Sequence, residues 1–141
     1  MNTRTPLLFF FSFVAFFILL FPLSAAGSPS NELLALVVEA YVQAVADKDA
    51  DRLTRASCGA WGPQARHELD VYNGAATHVE GLACSVTSLA NGTASVTCRG
   101  AIVASDENGD RYYPLSGRVF RLEHEGGMWR VCGADAVRPG L

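Results

Sequence analysis

Two sets of side chains in this sequence could do chemistry. The first is an acid–base group, Tyr41, His67, Asp70, Tyr72 and His78. Asp70 follows His67 by three residues, so a helix would put a carboxylate and an imidazole on one face, the pairing that general acid–base catalysis uses. An isomerase-like site would need such a carboxylate inside a dry pocket with a proton donor facing it. Tyr41, His67 and Asp70 are the weak catalytic candidates on that ground, and each also has a plain structural reading. Tyr41 falls on an apolar helical stripe and reads equally as a packed aromatic. His67 and His78 read as rim or surface histidines, and His124, between Glu123 and Glu125 beside a turn, reads as solvated. The pair His67-Glu68 does not open an H-E-x-x-H metal motif, because position 71 is Val71. No G-x-S-x-G nucleophile motif occurs.

The second set is the four cysteines, Cys58, Cys84, Cys98 and Cys132. A structural zinc site usually contains a close C-x-x-C pair, and none is present, so no metal or cofactor is expected. The other use of cysteine depends on compartment. Residues 1–29 read as a signal peptide or an N-terminal membrane anchor. Arg4 supplies the positive start, Leu7–Leu23 is almost wholly apolar, and Ser24-Ala25-Ala26-Gly27 offers a cleavage site. Either alternative puts residues 30–141 outside the cytoplasm, secreted or held at the membrane through that segment alone. Four cysteines in an exported domain are expected to form two disulfides, with three connectivities open.

The strand pattern narrows that choice. Leu82–Ser88 and Ala94–Arg99 alternate apolar and polar side chains around Asn91-Gly92, a pair suited to a tight reversal. A three-residue loop, Ala90 to Gly92, would set Leu89 opposite Thr93, Val86 opposite Val96 and Cys84 opposite Cys98. That register favours Cys84–Cys98 and leaves Cys58–Cys132. The chain-entropy model gives the longer loop roughly 4 kcal/mol and the hairpin loop roughly 3 kcal/mol. Asn91-Gly92-Thr93 also matches a glycosylation sequon, although the turn accounts for Asn-Gly without it.

Further turns at Asp106–Asp110 and Glu125–Gly127 join Ala101–Ser105, Arg111–Glu123 and Met128–Cys132, and the simplest order is a four-strand meander. Upstream, Leu34, Val37, Val38, Tyr41 and Val45 predict a helix over 32–47, capped by Ser28 or Ser30. Its broad apolar face requires a sheet to pack on. Asp49 predicts the cap of a second helix over 50–57, Gly62-Pro63 a break, and Ala65, Leu69 and Tyr72 a third helix over 64–72. Phe120, Leu122, Trp129 and Val131 alternate on the last two strands. With a two-residue final turn they form an apolar strip opposite Cys98 and Val119, suited to a homodimer interface or a protein partner. A bulge at Gly117 would turn them into the core instead. The net charge of −3 is spread without a basic stripe, which excludes nucleic acid as a partner.

Three stretches carry a family resemblance. Tyr41-Val42-Gln43-Ala44-Val45 followed by Asp47-Lys48-Asp49-Ala50-Asp51-Arg52-Leu53 looks like the first helix and the aspartate-led start of the second in the nuclear transport factor 2-like superfamily. Gly126-Gly127-Met128-Trp129-Arg130-Val131 looks like its final turn and strand. The cysteine spacing, with Cys98-Arg99-Gly100 and Trp129-Arg130-Val131-Cys132-Gly133, resembles an exported bacterial group of no assigned activity. The resemblance covers Asn31 to Gly133. It implies an α+β cone in which N-terminal helices pack on a curved antiparallel meander, a cystatin-like fold shared with SnoaL-like cyclases and ketosteroid isomerases. Members include enzymes, binding modules and assembly domains, so the fold does not fix the chemistry. The acidic and tyrosine positions expected of a ketosteroid isomerase on the inner strand faces are here Val86, Val96, Cys84 and Cys98. The expectation is therefore a non-enzymatic domain that binds a small apolar ligand or a protein at the cell surface. A small isomerase or cyclase and a structural dimerisation module are the alternatives.

Overall fold

The structure is a computed structural model that describes residues 29–136. Apart from Pro29, the expected leader lies outside the described residues. Three helices, α1 (Asn31–Ala46), α2 (Ala50–Ala56) and α3 (Gly62–Asp70), precede five strands. The strands are β1 (Ala76–Ala90), β2 (Thr93–Asp106), β3 (Gly109–Pro114), β4 (Arg118–Glu125) and β5 (Met128–Ala136). Among the described residues no helix is long and apolar enough to cross a membrane.

Helix α1 begins where Ser30 Oγ accepts the Leu33 amide at 3.1 Å. It ends where Lys48 adopts a left-handed conformation (φ 53°), the turn by which helices commonly stop. The Lys48 ammonium then donates to the carbonyls of Ala75 and Tyr72, tying the end of α1 to the chain after α3. Leu34, Val38, Tyr41, Val42 and Val45 are fully buried against the sheet. At about 1.5–3 kcal/mol for each large apolar side chain taken from water, this stripe holds the helix down. Asp49 caps α2 through the Arg52 amide at 2.9 Å.

The sheet is antiparallel, in the order β1-β2-β4-β5, with β3 also on β2. The expected single strand over 111–123 is two strands. β2 gives its first half to β4 (Thr93↔Glu123 to Thr97↔Val119) and its second half to β3 (Ala101↔Pro114 to Asp106↔Gly109). The handover falls at Gly100, whose φ of 99° and contact with the Glu80–Gly81 backbone leave no room for a Cβ. Opposite it, the β1–β2 register shifts between Glu80 and Ala83. The bend there closes the sheet around α1.

The first hairpin corrects the expected loop. Ala90 pairs with Thr93 across a two-residue turn, with Asn91 and Gly92 both at positive φ. A bulge between Val86 and Ser88 then restores the offset, so that Val86 still meets Val96 and Cys84 meets Cys98. Cys84–Cys98 and Cys58–Cys132 are the two disulfides, with Cα atoms 4.0 and 5.0 Å apart.

The apolar strip expected at an interface is also corrected. Phe120, Leu122 and Val131 are fully buried within the chain, and Trp129 packs partly buried beside them. The break at Ser116-Gly117 shifts the alternation by one residue, so Phe120 pairs with Val96 and Leu122 with Ala94 on the inner face. A register shift beside Arg121 aligns Val131 with Leu122. The opposite sheet face carries Ser95, Thr97 and Arg121 instead of an apolar strip.

Candidate functional site

The last turn before α3 is built on one carbonyl: Cys58 O accepts the amides of Trp61 (3.1 Å) and Gly62 (3.0 Å). Pro63 sits in the first turn of the helix rather than breaking the chain. The amide it lacks would have no partner in the helix there. From this start Ala65, Glu68, Leu69 and Tyr72 turn inward at helical spacing. Across from them, β3 presents Tyr113 and Pro114, the loop after it buried Leu115, and the start of β4 Arg118. Together these elements enclose a cavity of about 330 Å³ that opens to solvent.

Its polar groups form a connected set. Arg118 Nη2 donates to Glu68 Oε1 at 2.6 Å, with the two side chains 26% and 20% exposed. The Arg118 guanidinium also lies 5.0 Å from the centre of the Phe120 ring. Behind Glu68, the Tyr41 hydroxyl accepts the Trp61 indole N–H at 3.1 Å. Tyr72 and Tyr113 meet edge to face, 5.1 Å between ring centres, as one wall. Burial raises the pKa of the Tyr41 hydroxyl well above the usual tyrosine range, and the negative charge of Glu68 raises it further. The Trp61 hydrogen bond and the charge of Arg118 work against that rise. Burial raises Tyr72 as well, with Arg118 opposing it. Both phenols therefore stay protonated at neutral pH, as donors rather than bases.

The candidates read from the sequence separate. Tyr41 and Tyr72 belong to this cluster. His67 and Asp70 pair with each other at 3.4 Å on the outer face of α3, 84% and 64% exposed, away from the cavity. His78 pairs with Glu80 at 2.9 Å on the exposed side of β1. His124 packs on Trp129 at the last hairpin. Glu68 and Arg118 do not stand out in the sequence. Glu68 could have been placed by its position three residues after Ala65 and four before Tyr72, both inward. Arg118 could not, because its contact depends on the strand break before it. Among the described residues no group of three or more His, Cys, Asp and Glu side chains could hold a metal ion.

An arrangement of aromatic walls with one acceptor and one donor at the base can recognise a molecule by shape and by a single polar end. Glu68 is engaged by Arg118, so it is placed to orient the guanidinium.

No protein-family model and no curated protein matches the chain. Solved structures do. Aln2 from a Streptomyces species aligns with a TM-score of 0.51 at 16% identity, over 77% of this chain and 91% of its own. A proposed aromatic ring hydroxylase from Novosphingobium aromaticivorans aligns at 0.55 and 18%, over 80% and 94%. The intermembrane-space region of the chloroplast protein ARC6 aligns at 0.52 and 13%, over 78% and 98%. At these identities the likeness is one of fold.

Proposed function

We propose that this chain, a nuclear transport factor 2-like cone, is a binding module that takes a small, largely apolar molecule at the mouth between α3 and the β3–β4 segment. The observation that carries the reading is the cavity of about 330 Å³ walled by Tyr72, Tyr113, Pro114 and Leu115, with the Glu68–Arg118 pair as its polar end. Small-molecule sites occupy roughly 300–1,000 Å³ and combine apolar walls with a few placed polar groups. The reading is non-enzymatic because the inner strand face is filled by Val96, Cys98, Phe120 and Leu122, and the one carboxylate in the mouth among the described residues is engaged by Arg118.

We place the domain outside the cytoplasm. Two disulfides suit an oxidising compartment, and Leu7–Leu23 suits an export or anchoring segment. Binding of a protein partner or a second copy would have to use a surface other than the buried Phe120, Leu122 and Val131. Native mass spectrometry of the non-reduced, exported protein tests the reading. A reproducible added mass that is lost in Tyr113→Ala supports it. A bare protein that also gains no mass from a library of small aromatic and aliphatic compounds overturns it. Turnover of such a compound, abolished by Glu68→Gln in a folded protein, would move the site to the isomerase or cyclase class.

A further inference from the structure

Arg118 is only partly used by the protein. Its Nη2 donates to Glu68, while Nε and Nη1 donate to no protein acceptor among the described residues. The Arg118 side chain keeps 26% of its surface exposed. The residue lines the cavity. Glu68 accepts the guanidinium at Oε1, and no protein donor among the described residues reaches its Oε2. Nη2 spends one of its two N–H bonds on Glu68, and each bidentate edge of the guanidinium pairs Nη2 with Nε or with Nη1, so one such edge remains to hold a carboxylate with two parallel hydrogen bonds. Arg118 cannot swing freely away from this position, because Glu68 holds one edge and the Phe120 ring lies 5.0 Å from the guanidinium carbon.

Resting on the binding reading, we propose that the mouth recognises an aromatic monocarboxylate, its carboxylate on the free edge of Arg118 and its ring against Tyr72 and Tyr113. A monoanion suits the site better than a phosphate. Among the described residues Arg118 is the one cation lining the cavity, and Glu68 already answers part of its charge. A ring suits the walls because Tyr72 and Tyr113 offer a preformed edge-to-face pair that a third ring can extend. The cavity volume, near the lower end for small-molecule sites, limits the ligand to a compact acid of one or two rings.

The test compares three probes on the full, disulfide-bonded protein by calorimetry and amide NMR: 3-phenylpropionate, its neutral counterpart 3-phenylpropan-1-ol, and octanoate. The acid binds at least about tenfold more tightly than the alcohol, as expected when a charge-assisted pair replaces a neutral hydrogen bond. It also binds more tightly than octanoate. Arg118→Met brings the acid down to the level of the alcohol. Glu68→Gln, which keeps the shape of the side chain and removes the competing anion, tightens the acid several-fold. Equal affinity of acid and alcohol, or a weaker acid in Glu68→Gln, overturns the carboxylate assignment and leaves the binding reading standing. Octanoate equal to or tighter than 3-phenylpropionate overturns the assignment of the ring. If neither the acid nor the alcohol shifts the mouth amides, the assignment and the binding reading fall together.

Discussion

The surface has a second cleft, and it is the larger one. The groove between α1 and β1 holds about 460 Å³, against about 330 Å³ for the mouth beside α3. Its walls are Asn31, Glu32, Leu36, Glu39 and the outer edge of β1 at Cys84–Val86. Among the described residues no aromatic side chain lines it, both of its charges are negative, and Glu39 is committed to the Cys84 amide at 3.1 Å. In the mouth, aromatic walls and opposite charges converge from three separate elements. A groove of this kind is what remains when a helix lies across an edge strand. Convergence from distant parts of the chain has to be specified, so polarity and convergence, more than volume, mark the site. Each cleft is backed by one disulfide. Cys84–Cys98 lies under the groove, and Cys58–Cys132 fixes the carbonyl from which α3 begins.

Removing the two disulfides in turn separates the clefts most forcefully. Cys58→Ser with Cys132→Ser opens a loop of sequence separation 74 and should cost roughly 4 kcal/mol. Cys84→Ser with Cys98→Ser opens one of 14 and should cost roughly 3 kcal/mol. Denaturant unfolding ranks the two. Only the first should also weaken binding at the mouth, and equal binding losses would show that the two clefts are not separately supported.

Glu68→Ala takes away the Arg118 carboxylate partner. A fully buried pair broken this way costs about 3–5 kcal/mol, but these groups are a fifth to a quarter exposed, so roughly 1–2 kcal/mol is expected. Urea midpoints check the figure, and no change would mean that the pair is only a surface contact.

Tyr41→Phe deletes the acceptor for the Trp61 indole and should cost about 1 kcal/mol, with a shift in Trp61 emission. It also has a signature in pH. The folded protein holds the Tyr41 proton more tightly than the unfolded chain does, because burial raises its pKa. That contribution is complete below the ordinary tyrosine pKa of about 10 and is lost as pH rises from there towards the raised folded value. Tyr72 acts in the same direction. Wild-type stability should therefore fall above about pH 10, and Tyr41→Phe should fall less steeply. Parallel declines would remove Tyr41 from the cluster.

The smallest effects belong to the groove and to the outer face of α3. Leu36, 52% exposed, and Asp70, paired with His67 in solvent, should each change stability by no more than about 0.5 kcal/mol when replaced by alanine. Neither substitution should alter binding at the mouth. A larger loss in Leu36→Ala would point to a partner on the groove.

Local rules made the frame legible. The apolar spacing of Leu34, Val38, Tyr41 and Val45 defined α1, Asp49 defined the start of α2, and the match of Cys84 with Cys98 defined the hairpin. A three-residue loop predicts this pairing, and the chain arrives at it by a two-residue turn because the bulge beside Thr87 restores the same offset. The strand break after Pro114 was less visible, since Arg111–Glu123 reads as one alternating run and the interruption depends on Leu115 donating its amide to Gly100 across the bend. The inner and outer sides of the last strands follow from that break, and so does the place of Arg118. The site was hidden for the same reason. Its wall and its ion pair join α3 to β3 and β4, 50 residues apart for Glu68 and Arg118, and no short spacing encodes such a contact.

The most direct measurement is an amide NMR titration of the disulfide-bonded protein with 3-phenylpropionate, read at both clefts in one experiment. Binding at the mouth predicts saturable shifts at Val71, Tyr113, Leu115 and Arg118 with Leu36, Glu39 and Val86 unmoved. Shifts confined to the groove, or none at either cleft, would contradict it.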